Sequence, residues 1–230
     1  MQWSYLVLVK KKKTMNAGEQ PLLLPDSGPL ITLAYAGQLD LLLRSNWSLW
    51  LVDAVVHEVT RNVTPTRAAI SDFIARHHIP TIETMTFRHY RERMAAASSE
   101  GQMPRKAGLG ELALQEAINQ LALLEPPQPA VLLFEDYEIA SETFYLPEGT
   151  VRVSTRAFLE IMEENGWLDS AANVELAAIQ AGRQFSRLRF PWCGSGQRLN
   201  PFNHRPFFPL HEIKPHFLPR CHIRARFRVF

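Results

Sequence analysis

LLLPDSGPLITLA, residues 22–34, decides how this chain folds. Leu22, Leu23 and Leu24 are consecutive apolar residues with no polar alternation, the pattern of a strand buried on both faces. Asp26-Ser27-Gly28-Pro29 then reads as a helix start with proline inside the first turn. Beyond it, Leu30 to Leu43 keeps helical spacing, is interrupted at Gly37, and offers Asp40 to cap a second short helix. A buried strand passing directly into a helix is half of a βα unit, and it leaves Asp26 at the strand's C-terminal end.

The same pattern recurs downstream. Leu49 to Val52 predicts a second strand, with Asp53 capping a helix that carries Val55, Val56, Glu58 and Val59. Pro65 opens a helix in which Ala69, Ile70, Phe73 and Ile74 share a face, and Thr81 to Met85 predicts a third strand. Phe87 to Ala97 reads as helix. Ser98 to Gly110, rich in Ser, Gly and basic residues, reads as a mobile loop. Glu111 to Leu124 is helical through Leu112, Leu114, Ala117, Ile118 and Leu121, and the prolines at 126, 127 and 129 end it. Val131 to Phe134 is the clearest strand, delivering Glu135 and Asp136, with a helix from Tyr137 to about Phe144. Val151 to Val153 is the last strand. Ser154-Thr155 caps a helix striped with Phe158, Leu159 and Met162, and a final helix follows Asp169-Ser170. Short, wholly apolar strands alternating with helices predict an α/β domain with a mostly parallel central sheet flanked by helices.

Composition sets the outer limits. The chain has 230 residues, 46% of them hydrophobic, enough for one ordinary domain with a real core plus an appendage. The longest early apolar run, Tyr5 to Val9, is too short for a membrane span, and Lys10 to Lys13 follow it rather than precede it, so a cytoplasmic location is expected. Cys193 and Cys221 make no disulfide framework and fit a reducing compartment. The net charge of +2 conceals an acidic body and a basic end: residues 187–230 carry nine Lys/Arg and only Glu212, whereas residues 1–186 carry 16 basic and 22 acidic residues. Residues 1–20 therefore read as a flexible leader, 21–186 as the folded domain and 187–230 as an irregular, poorly ordered basic tail. That tail has six prolines, seven phenylalanines and four histidines, but none of the paired spacings of a zinc module. A basic tail also offers counter-charges for nucleic acid phosphates, although a solvated tail explains the same charge.

In an open parallel sheet, ligands bind beyond the carboxyl ends of the strands. Asp26, Glu135, Asp136, Ser154 and Thr155 fall at that edge, and Glu58 and Glu111 reach it from their helices. Each acid alone has a plainer explanation: Asp26 and Asp136 as N-caps, Glu58 as a surface residue, Glu111 as a complement to its helix dipole. Together they make one acidic pocket, in which like charges raise one another's pKa unless a cation intervenes. Hard oxygen ligands select Mg2+ or Mn2+ over zinc, and such an ion polarises phosphate and activates water. No side-chain nucleophile motif is present.

The segments LLLPDSGPLITLAYAGQLDLLL, AVVHEVTR, GLGELALQEA, VLLFEDYEIA and VRVSTRAFLEIMEENGWL, in this order, resemble the successive motifs of PIN-domain proteins, especially the VapC-like ribonuclease toxins. The resemblance covers roughly residues 22–176. It implies a three-layer PIN-like fold and a metal-dependent endoribonuclease, the toxin of a toxin-antitoxin pair, with an antitoxin protein as partner and a homodimer as assembly. It further implies that Asp26, Glu58, Glu111 and Asp136 act as catalytic metal ligands, with Glu135 as the alternative to Asp136 and with Thr155 and Ser154 in support. Glu111 departs from the aspartate frequent at that position, and Glu116 is a weaker candidate for the same role. Arg105, Lys106 and Arg156 are the basic residues that could meet RNA, although a solvated surface charge accounts for each more simply. The competing expectation is a PIN-like module that binds RNA or a protein without cleaving, which internal pairing of the acids with arginine would favour.

Overall fold

The computed structural model describes residues 20–45, 47–100, 108–135, 139 and 144–184. The leader before residue 20, Arg105 and Lys106, Asp136, all but Ile139 and Phe144 of the helix expected from Tyr137, and the tail from residue 187 lie outside the described residues.

Strand β1, Leu22–Pro25, is buried at every position, as its uninterrupted apolar run requires, and helix α1, Ser27–Tyr35, follows at once. A 3-10 turn, Leu39–Leu43, stands where a second short helix is expected; Gln38 precedes it, and no side chain caps it. Asp40 instead lies 3.5 Å from His77 on the surface.

The stretch expected as a single strand at 49–52 is divided between two sheets. β2, Ser48–Leu49, pairs with β1, whereas β3, Leu51–Val52, pairs with β4, Thr81–Ile82. Trp50 is the pivot. Its N–H donates to Leu23 O at 3.0 Å, and the next N–H, of Leu51, turns to Pro80 O at 3.0 Å. Successive backbone groups of an extended chain point to opposite sides, so one short segment serves both sheets.

Helix α2, Asp53–Arg61, leads to α3, Arg67–His77, which starts two residues beyond Pro65. β4 is shorter than the expected 81–85 strand because Thr84 is drawn to Asp53: its N–H donates to Oδ2 at 2.7 Å and its hydroxyl to Oδ1 at 2.8 Å. Helix α4, Met85–Glu100, begins immediately after, and α5 is Leu109–Ala122. β5, Ala130–Phe134, is buried throughout, and β6, Thr150–Ser154, is half-buried at the sheet edge. Helices α6, Thr155–Glu164, and α7, Ala171–Gln180, complete the order, each capped by the serine before it: Ser154 Oγ accepts from Ala157 N–H at 3.1 Å and Ser170 Oγ from Asn173 N–H at 3.3 Å.

The main sheet has the order β2-β1-β5-β6, and every strand pairing among the described residues is parallel. Its central pair, β1 and β5, is covered by Leu30 and Leu33 of α1, Ala113, Leu114 and Ile118 of α5, and Phe158, Leu159 and Met162 of α6, all essentially removed from solvent. The α/β class with a parallel sheet flanked by helices is thus realised. No helix among the described residues is long and apolar enough to cross a membrane.

Candidate functional site

From β1 the chain moves to one side of the sheet to form β2, and later returns to the other side of β1 to form β5. The winding direction reverses between β1 and β5, and a crevice opens at the carboxyl ends of such a pair. Pro25 is opposite Leu133, and Asp26 N–H donates to Leu133 O at 2.8 Å, which fixes the first residue beyond β1 against β5. Asp26 and Glu135 are therefore the two acids at the reversal, and they are only 7% and 8% exposed.

Asp26 occupies the N-cap position of α1 with extended backbone (φ −71°, ψ 174°), yet its carboxylate makes no capping hydrogen bond. Capping thus does not account for an aspartate here. Glu58, on the exposed side of α2, and Gly110, in the first turn of α5, meet Asp26 from two other elements. A Cβ on Gly110 would stand 3.4 Å from Glu58 Oε2 and 4.0 Å from Asp26 Oδ1, so an oxygen of each carboxylate lies beside the glycine. Glu111 follows, with its Oε2 3.9 Å from where a Cβ on Gly108 would be. That carboxylate lies over the α5 N-terminus, where Gly108 provides the left-handed cap residue (φ 71°) and no side-chain acceptor. The uncapped amino ends of α1 and α5 thus both adjoin carboxylates, whose charge their partial positive charge offsets.

Glu135 has a different role. Its Oε2 accepts from Arg183 Nη2 at 2.6 Å, in a pair whose side chains are 6% and 3% exposed for Arg and Glu respectively. Arg183 also donates through Nε to Thr32 Oγ1 at 2.9 Å and through Nη2 to Gly28 O at 3.4 Å. The guanidinium thus ties the chain beyond α7 to α1 and to the end of β5. Gly28 is required for this: a Cβ there would stand 2.8 Å from Glu135 Cβ.

The remaining expected residues separate clearly. Ser154 serves as the α6 cap, and Thr155 Oγ1 is buried 3.5 Å from Phe134 O, so both are committed to the edge between β5 and β6. Arg156 is paired on the surface with Glu160 at 3.1 Å and lies 4.0 Å from Glu175. Glu116 does not join the acids: it accepts from Met85 N–H at 2.7 Å and Thr86 N–H at 2.8 Å, capping α4. Partial burial would raise its carboxyl pKa, but these donors outweigh burial and hold it below the usual range. Asp53 likewise is structural, although burial, opposed by its Thr84 and Ala54 bonds, raises its pKa.

Two residues near the site carry no local signal in the sequence. Arg183 finds its partner 48 positions away, and nothing in GRQF marks it. Glu175 on α7 has its carboxyl pushed up by burial, against the pull of Arg156 and with the added repulsion of Glu160 and Glu135.

Asp26 and Glu58 fit a hard divalent cation as oxygen donors beside Gly110, with Glu111 adjacent. Glu135 does not fit, because Arg183 already neutralises it. Among the described residues, no three His, Cys, Asp or Glu side chains form a ready cation cage. Comparison with known proteins gives no match: no family model, curated protein or solved structure matches this chain.

Proposed function

We propose that the chain is a metal-dependent endoribonuclease with a three-layer PIN-like fold, acting as the toxin of a toxin-antitoxin pair. The observation that carries this reading is Asp26: buried at the reversal of the sheet, in a cap position where it does not cap, and with an oxygen beside Gly110, as Glu58 has. Asp26 and Glu58 would hold Mg2+ or Mn2+, with Glu111 beside them and Asp136 as the fourth acid. When bound, the ion supplies charge to polarise the scissile phosphate and lowers the pKa of attacking water. The chain's own part is to orient. The α1 and α5 amino ends would add their partial positive charge toward an anion, and the Arg183–Glu135 pair keeps the end of β5 in register with the start of α1. An antitoxin partner and a homodimer belong to the same reading.

The test is hydrolysis of single-stranded and structured RNA by purified chain in Mn2+ and in Mg2+, against Asp26→Asn. Loss of outer-shell partners alone costs about 10–100-fold in metal-dependent activity, so removing a ligand is expected to cost at least about 100-fold. Cleavage by Asp26→Asn at the wild-type rate would remove Asp26 from the mechanism.

One observation favours a second reading, a PIN-like module that binds RNA or protein without cleaving: Glu135 is paired internally with arginine. RNA left intact in both metals, together with measurable RNA or protein binding, supports this reading over the first.

A further inference from the structure

Beside the acids lies a cleft of about 270 Å3, walled by Ile31 and Tyr35 of α1, Glu58 and Val59 of α2, Thr64 to Thr66 ahead of α3, and Gly182 to Gln184 after α7. We infer that this cleft is a nucleobase subsite, which takes one unpaired base of single-stranded RNA next to the phosphate at Asp26 and Glu58. The inference rests on the ribonuclease reading for its choice of ligand, but its geometry is independent.

Three features converge on that ligand. Glu58 lines the cleft and also sets an oxygen beside Gly110, as Asp26 does, so a chain whose phosphate lies at the acids has its neighbouring nucleotide at the cleft. The volume falls just under the range of about 300–1,000 Å3 usual for drug-sized ligands, which suits one base rather than a duplex. The lining combines an aromatic ring with apolar walls and hydroxyls. Tyr35 is half-buried, its ring edge 3.7 Å from where a Cβ on Gly182 would be, and Thr64 Oγ1 and Thr66 Oγ1 are 3.4 Å apart. Single-stranded RNA is recognised by stacking splayed bases on such rings and by hydrogen bonds to base edges and 2′-hydroxyls. Arg183, paired with Glu135, also lines the cleft.

The experiment measures fluorescence anisotropy of a short, 5′-labelled, single-stranded oligoribonucleotide of mixed sequence, in the Asp26→Asn background so that the probe stays whole. Tyr35→Ala is expected to weaken binding by about tenfold, and Tyr35→Phe, which keeps the ring, to restore it. Thr64→Trp, at an exposed rim position, is expected to block the cleft and weaken binding without touching Tyr35. The same sequence annealed to its complement should bind less well than the single strand. Unchanged binding in Tyr35→Ala and Thr64→Trp overturns the subsite, as does failure of chains with Tyr35 intact to bind the probe, whether Asp26 or Asn is present. If Tyr35→Ala does not fold, Thr64→Trp alone decides. Binding that depends on Tyr35 in a protein that never cleaves RNA keeps the subsite and removes the ribonuclease reading.

Discussion

Replacing Arg183 by methionine tests how the crevice is held. The variant keeps the length and apolar stem of the side chain but removes the charge that pairs with Glu135 at 2.6 Å. Glu135 then remains buried with no countercharge, and breaking such a pair from one side costs about 3–5 kcal/mol. Domains of this kind are stable by only about 5–15 kcal/mol, so the loss is about a fifth or more of the total. The reciprocal variant, Glu135→Gln, should cost less. Arg183 would still reach Thr32 Oγ1 and Gly28 O, whereas Glu135 Oε1 has no hydrogen-bond partner among the described residues to fall back on.

Urea unfolding followed by circular dichroism gives the four corners of the cycle: wild type, Arg183→Met, Glu135→Gln and the double variant. In the double variant no charge is left buried, so it should be more stable than Arg183→Met alone, with a coupling of about 1–3 kcal/mol. The midpoints should move without a change in slope. If Arg183→Met loses less than about 1 kcal/mol, the pair behaves as a solvent-screened contact. Strict additivity of the two single losses would equally refute the argument, since it would mean that the two groups do not sense each other.

Three further outcomes follow from neighbouring contacts. Gly28→Ala sets a Cβ 2.8 Å from Glu135 Cβ and should lower stability by about 1–3 kcal/mol, measured by the same unfolding, even though alanine is the better helix former. Glu116→Gln should cost about 0.5–2 kcal/mol through loss of the charged cap on α4. Because the folded-state pKa of Glu116 is lowered, its contribution is present above the unfolded value near 4.5 and disappears as pH falls through the folded value, so the gap between wild type and Glu116→Gln should close in acid. Glu175 has the opposite sign: its raised pKa contributes stability below the unfolded value that is lost as pH rises through the folded one. Glu175→Gln should therefore gain on wild type as pH rises from the unfolded value near 4.5 through the folded one in midpoint comparisons, and a widening deficit would contradict the burial argument.

What the sequence made legible was local. Leu22 to Leu24 and Val131 to Phe134 announce buried strands because a strand covered on both faces has no polar alternation, and Ser154 and Ser170 announce helices because a cap is a short-range bond. What failed to show was every feature set by a distant partner. The division at Trp50 depends on Pro80 and Leu23, both more than 25 positions away, and β4 stops short because Asp53 claims Thr84. The candidate site divides in the same way. Asp26 was marked by its place after a strand, whereas Glu116 and Glu135 were sorted only by the groups they met, a pair of helix amides in one case and a guanidinium in the other.

That sorting bears on the choice between cleavage and binding. Carboxylates that approach one another are unfavourable, and there are two ways to relieve them, a bound cation or an internal cation. Arg183 is the internal one for Glu135, while Asp26 and Glu58 approach Gly110 from other elements, with the amino end of α5 alongside. On the metal-binding reading, an added divalent ion should stabilise the fold through Asp26 and Glu58 even if no RNA is ever cut. Thermal unfolding in rising Mn2+ isolates this step. Wild type should gain stability as ligand linkage requires, about 2.7 kcal/mol when the ion reaches a hundred times its dissociation constant. Asp26→Asn should gain far less, and Glu135→Gln should keep the gain. An equal gain in all three chains would mean that the ion binds elsewhere than at Asp26 and Glu58.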